Sequence, residues 1–181
     1  MDLLDLYASA SEWTLGKATG AAVRLDALTP CEGWDVGTLM NHMLQTQQYF
    51  VGSALGQKVA PPAGEPPQLL SDDPIDDFLR AREEMLRVFG TPGVIERTGP
   101  ALGIAFADQL LHGWDLAKSM GQSGAMPGDL AETAYGLVHG SFTDEQRQGV
   151  FAPEIAVPAG ASPQDKLLAY AGRDPALNLL A

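Results

Sequence analysis

An all-α fold is predicted by three features of the sequence: an Ala- and Leu-rich composition, apolar residues recurring at helical spacing between recognisable caps, and no long alternating run of β-branched residues. The glycines and prolines act mainly as punctuation between the helices. With 181 residues the chain can bury a core without metal or disulfide, and one domain spanning 1–181 is expected.

The first helix is read from residue 2 to about residue 28, on Leu3, Leu6, Tyr7, Ala10 and Trp13 with Val23 and Leu25 further on; Gly16 and Gly20 mark a bend or a close helix contact. Thr29-Pro-Cys-Glu-Gly-Trp34 is a tight connector, and Asp35 is placed to cap a second helix from about Val36 to Leu55. Val36, Leu39, Met40, Met43, Phe50 and Val51 form its apolar stripe, with His42 toward one edge. Residues 56–72 carry Pro61-Pro62, Gly64 and Pro66-Pro67 and read as a long surface crossover.

The third helix has a cap at Asp73, Pro74 at its first position, Asp76 and Asp77 at its positive end and an exit at Gly90. A loop through Thr91-Pro92-Gly93 and Gly99-Pro100 leads to a fourth helix from about Gly103 to Met120. A fifth is expected from about Asp129 to Arg147, interrupted in quality by Gly136 and Gly140. Val150 to Val157 reads as an extended tail or strap, and Ser162-Pro163-Gln164-Asp165 as the start of a last helix through Tyr170, closed by Gly172.

A formal charge of −12, from 11 basic and 23 acidic residues, excludes a phosphate backbone as an expected partner, since nucleic-acid binding needs a basic footprint. The acidic balance instead favours divalent cations and cationic groups. One cysteine, Cys31, rules out a disulfide within a monomer and points to a reducing compartment. Met1-Asp-Leu-Leu-Asp lacks the basic start of a signal peptide, and no apolar run reaches membrane-spanning length, so a cytoplasmic location is expected.

The chemistry-bearing stretch is Asp108-Gln-Leu-Leu-His112-Gly-Trp-Asp115. On a helix, Asp108 and His112 leave the same face one turn apart, as two ligands of one cation must. A third ligand has to come from another helix, and His42 is the candidate. Zinc accepts this mix of imidazole and carboxylate, and two neutral ligands with one anion leave a positive centre able to stabilise a thiolate or an oxyanion. The spacing alone leaves metal ligation open against a satisfied or solvated polar pair. Asp115 is read as an orienting group, a substitute ligand or a solvated carboxylate, Trp114 as a packing residue, and His139 as non-catalytic. Cys31, before a helix start and beside Trp34, is read as packing more than reactive. No phosphate-cradling loop, zinc-finger pattern or serine elbow is present.

Two long motifs, Thr29-Pro-Cys-Glu-Gly-Trp-Asp-Val-Gly-Thr-Leu-Met-Asn-His42 and Asp108-Gln-Leu-Leu-His-Gly-Trp-Asp-Leu-Ala117, resemble paired signatures of actinobacterial proteins of the DinB-like superfamily. These are related to the N-terminal domain of mycothiol-dependent maleylpyruvate isomerase. Phe151-Ala-Pro-Glu-Ile-Ala-Val-Pro and Arg173-Asp-Pro are similar to a tail found in one subgroup. The resemblance implies a DinB-like four-helix bundle with additional C-terminal helical segments and a short extended tail. It also implies a divalent metal, zinc or else nickel or another ion, held by His42, Asp108 and His112. Related enzymes use such a metal with a low-molecular-weight thiol, so mycothiol or a similar thiol and a small electrophile are the implied partners. The isomerase has Glu where this chain has Asp108, and a C-terminal domain that contributes to its active site, whereas the roughly 60 residues after the fourth helix are expected here to form a fifth helix, a tail and a short cap.

Three functions follow as expectations: a metal-dependent enzyme that uses or transfers a thiol, a non-enzymatic metal- or ligand-binding regulatory bundle, and a metal-dependent hydrolase in which water takes the place of sulfur. Homodimer formation through a bundle face is left open.

Overall fold

The computed structural model describes residues 1–147 and 150–179. Its helices are α1 (Leu3–Ala21), α2 (Val36–Ala54), α3 (Pro74–Phe89), α4 (Val94–Thr98), α5 (Ala101–Ser119), α6 (Gly128–Val138), α7 (Asp144–Arg147) and α8 (Pro163–Tyr170). No sheet occurs among the described residues, where Leu28 and Asp35 form the only isolated bridge. The long helices α1, α2, α3 and α5 pack as a bundle, with α1 most extensively against α5, and α6 and α8 pair beside it. Among the described residues, no helix is long and apolar enough to cross a membrane.

Caps set most of the boundaries. Asp2 and Asp5 form a reciprocal capping box on α1, Asp35 accepts from the Thr38 amide at 2.7 Å, and Asp73 and Ser162 cap α3 and α8, each followed by proline. Arg82 crosses from α3 to α1, donating from Nε to Ser11 Oγ at 3.0 Å and from Nη2 to the Ala8 carbonyl at 3.2 Å.

Three expected boundaries are corrected. The first helix stops at Ala21 instead of running to residue 28, because the following carbonyls are taken by the start of α2: Val36 N–H donates to Ala27 O at 2.9 Å and Gly37 N–H to Leu25 O at 2.8 Å. Those bonds satisfy two of the orphan amides at the α2 N-terminus. Val23, counted in the helical pattern, is exposed. The loop before α5 contains the short helix α4, bracketed by Gly93 at φ 80° and Gly99 at φ 59°, conformations that suit glycine. Arg97 ties it to the end of α2 by donating to the Ala54 carbonyl at 2.9 Å. The fifth predicted helix is two pieces, since His139 is extended and Gly140 turns at φ 74° between α6 and α7.

Residues 150–157 form an extended strap that pairs with no strand among the described residues. Ile155 N–H donates to Ala169 O at 3.0 Å, and the Arg147 guanidinium lies 4.2 Å from the Tyr170 ring centroid and 5.5 Å from that of Phe151. Across the bundle, the crossover 56–72 is pinned by the buried Asn41, whose Oδ1 accepts from the Leu69 and Leu70 amides at 2.6 and 2.9 Å.

The α1–α5 contact is close because Gly113 has no side chain: a Cβ there would lie 2.5 Å from Trp13 Cζ3 and 2.6 Å from Thr14 Oγ1. Thr14 Oγ1 uses the proximity to donate to the Gln109 carbonyl at 2.8 Å. Gly113→Ala is expected to destabilise the protein by about 1–3 kcal/mol through overpacking. Gly103→Ala, whose Cβ would meet only Leu137 Cδ1 at an ordinary 3.7 Å, should stabilise it by roughly 0.5–1 kcal/mol. Urea midpoints of the two variants at constant slope test this contrast.

Candidate metal centre

Helix α5 carries the half-buried Asp108 and the buried His112 and Asp115 along one face, and α2 brings His42 beside them. His112 Nε2 lies 3.4 Å from Asp108 Oδ1, while its Nδ1–H donates to Asp115 Oδ2 at 3.0 Å. The His42 and His112 rings meet edge to face with centroids 5.1 Å apart, and Trp34 packs on the other ring contact of His42 at 4.9 Å. Thr46 Oγ1 is 3.5 Å from His42 Nε2.

Asp115 is the most enclosed of these groups. Its carboxylate, fully buried, accepts from Arg173 Nε at 2.9 and 3.2 Å and from Arg173 Nη2 at 2.6 Å, and the Cys31 thiol donates to its Oδ2 at 3.4 Å. Burial alone would raise the pKa of both carboxylates. The Arg173 charge, with His112, instead holds Asp115 well below the usual carboxylate range, and the charge and contact of His112 hold Asp108 below it too.

The two imidazoles are driven apart. Burial pushes His42 down to about 4, and the neighbouring positive charge of His112 adds to that. His112 is also opposed by burial, yet Asp108 and Asp115 on its two nitrogens raise it well above 6.5. Two carboxylates are thus balanced by one imidazolium and one guanidinium, with His42 neutral beside them.

Ligand atoms of His42, Asp108 and His112 all lie within 4.8 Å of one another, as do those of Cys31, His112 and Asp115. This is a buried Cys/His/Asp cluster capable of coordinating a metal ion. Asp108 Oδ2 is buried and has no hydrogen-bond partner, an unusual condition for a charged oxygen. The cluster opens on a cavity of about 730 Å³ whose wall includes Cys31, Trp34, Tyr49, Phe50 and Phe151, with Pro61 and Pro62 of the crossover at one side.

The sequence-predicted trio His42, Asp108 and His112 is therefore brought together. Asp115 is neither solvated nor free, because Arg173 and His112 occupy it. Cys31 is half-buried and lines the cavity beside Asp115, which its neighbours in sequence did not indicate. Trp114 is packed in the core, and His139 lies elsewhere, between Tyr135 at 4.7 Å and Tyr170 at 5.4 Å. Arg173 was missed as a site residue: its place, 58 residues after Asp115, carries no local pattern, and only the resemblance of the tail drew notice to it.

Side-chain NMR of the metal-free protein should find His42 neutral down to about pH 4 and His112 charged through pH 7. The stability linked to His42 is present above pH 6.5 and is lost as pH falls toward about 4, because the unfolded chain takes up the proton first. That linked to His112 is present below pH 6.5 and is lost as pH rises through its raised value. Titration of both rings near 6.5 would contradict this electrostatic picture.

No family model matches the chain, and no solved structure matches it. Two uncharacterized proteins from strains of Mycobacterium tuberculosis are each 29% identical to it over 170 residues, covering 84% of this chain and 88% of their own length.

Proposed function

We propose that His42, Asp108 and His112 hold one divalent cation, zinc or alternatively nickel, in a single DinB-like domain spanning 1–181. In this reading the protein uses the centre with a low-molecular-weight thiol of mycothiol type to modify a small electrophile. The observation that carries the proposal is the unpartnered, buried Asp108 Oδ2 beside two imidazoles from a second helix and its own, all facing one cavity.

The donor set fits the ion. Two imidazoles and one carboxylate match a three-ligand zinc site that leaves a position for thiol or water. The alternative set of Cys31, His112 and Asp115 suits a cation less well, because the Arg173 guanidinium already neutralises Asp115. The shorter side chain of Asp108, compared with the Glu of the isomerase, still brings Oδ1 to 3.4 Å from His112 Nε2.

When bound, a divalent cation supplies Lewis acidity that stabilises a thiolate at neutral pH. The chain's own residues do the rest. Asp115 takes the Nδ1–H of His112 and so leaves Nε2 as the ligating nitrogen. Trp34, Tyr49 and Phe151 give the cavity apolar walls that exclude water from a reactive sulfur. The reaction is formation of a carbon–sulfur bond: the thiolate electron pair attacks an electrophilic carbon, and the displaced group leaves with its bonding pair.

Elemental analysis of metal-replete protein should find about one divalent ion per chain, lost in His42→Ala and His112→Ala. Because His42 is neutral and His112 charged at pH 7, binding should release about one proton, measurable by calorimetry in buffers of different ionisation enthalpy. Turnover of alkyl halides should require both mycothiol and His42. Metal-replete wild-type protein that holds no ion would sink the reading; hydrolysis of an ester without thiol would replace sulfur by water.

A further inference from the structure

Arg173 follows a turn that the fold takes trouble to make. Gly172 sits at φ 76°, and a Cβ there would fall 2.5 Å from the Ala152 Cβ and 2.8 Å from the Ala152 carbonyl oxygen. The turn is held by Arg173 N–H donating to Leu168 O at 2.8 Å. It directs the side chain back toward the bundle, where Nε and Nη2 grip Asp115 and Nη1 donates to the Ala171 carbonyl at 3.3 Å. Three of the five guanidinium N–H donors, one on each nitrogen, are thereby engaged within the protein. Asp115 in turn accepts from the Cys31 thiol and from the Nδ1–H of His112, a member of the proposed ligand trio.

We infer that Arg173 is a positioning residue for His112, acting through Asp115. The fork holds the carboxylate where it accepts Nδ1–H, which fixes the ring and leaves Nε2 directed at Asp108, 3.4 Å away. The C-terminal segment is accordingly a third structural element of the site, with α2 and α5. The orientation of His112 stands on the geometry alone; its effect on metal affinity rests on the reading proposed above.

The test compares wild type with Arg173→Gln, Arg173→Lys and Arg147→Gln. In the metal-free protein, the His112 Nδ1–H should give a proton resonance protected from exchange with water. Arg173→Gln should lose that protection, and Arg173→Lys, which keeps the charge without the fork, should retain part of it. Should the Gln variant fail to fold, as removal of a buried countercharge can cause, the Lys variant still decides, with faster exchange than wild type expected. Arg147→Gln removes the guanidinium from Tyr170 and Phe151 and should lower stability while leaving the resonance in place. Zinc affinity, measured against a competing chelator, should fall about 10–100-fold in Arg173→Gln and less in Arg173→Lys.

Unchanged Nδ1–H protection in Arg173→Gln, or in Arg173→Lys if only that variant folds, would overturn the inference, as would equal loss in Arg147→Gln. Wild-type protein that binds no zinc would refute the metal reading, while the exchange comparison would still decide the role of Arg173.

Discussion

A carboxylate with no solvent exposure must find its countercharge inside the protein, and Asp115 is such a group. Its place on α5 is dictated by the helix that forms the bundle's most extensive contact, so it cannot move to solvent without disturbing α1. The chain resolves this by returning to Asp115 from its C-terminal end. Arg173, Cys31 and His112 come from three separate parts of the sequence and converge on two oxygens. The turn at Gly172 and Arg173 is thereby coupled to the centre of the bundle.

The same constraint shapes the electrostatics one turn earlier. Asp108 has His112 on one oxygen and nothing on the other, whereas Asp115 is saturated. Two acidic groups on one helix thus have different capacities: one is already neutralised, and the other retains room for a cation. His42 adds a lone pair without adding charge, because burial and the neighbouring imidazolium keep it neutral. The asymmetry distinguishes a support from a candidate ligand more clearly than the spacing of residues on α5 does.

Much of the bundle was legible because local signals agreed with tertiary packing. Asp35, Asp73 with Pro74, and Ser162 with Pro163 cap helices where expected, and most of the apolar stripe of α2 is buried, as are Phe78, Met85 and Phe89 on α3, where Leu79 is exposed. The end of α1 was misjudged because Val23 and Leu25 continue a helical rhythm while backbone bonds to α2 claim the surrounding chain. Likewise, the break at His139 depends on a glycine turn whose conformation composition does not specify. Asp108 and His112 could be paired from helical geometry, and His42 could be nominated as their partner because few alternatives existed. Arg173 could not be found this way, since an ion pair spanning 58 residues has no periodicity to read.

The cavity has sides of different construction. His42 and His112 lie on long helices, whereas Pro61 and Pro62 belong to a crossover whose far end is gathered onto α2 by the single amide of Asn41. Substitution among residues 56–67 can therefore remodel the entrance while sparing the helical register. A lineage built on this scaffold could diversify what it admits through that ribbon, leaving its interior chemistry intact.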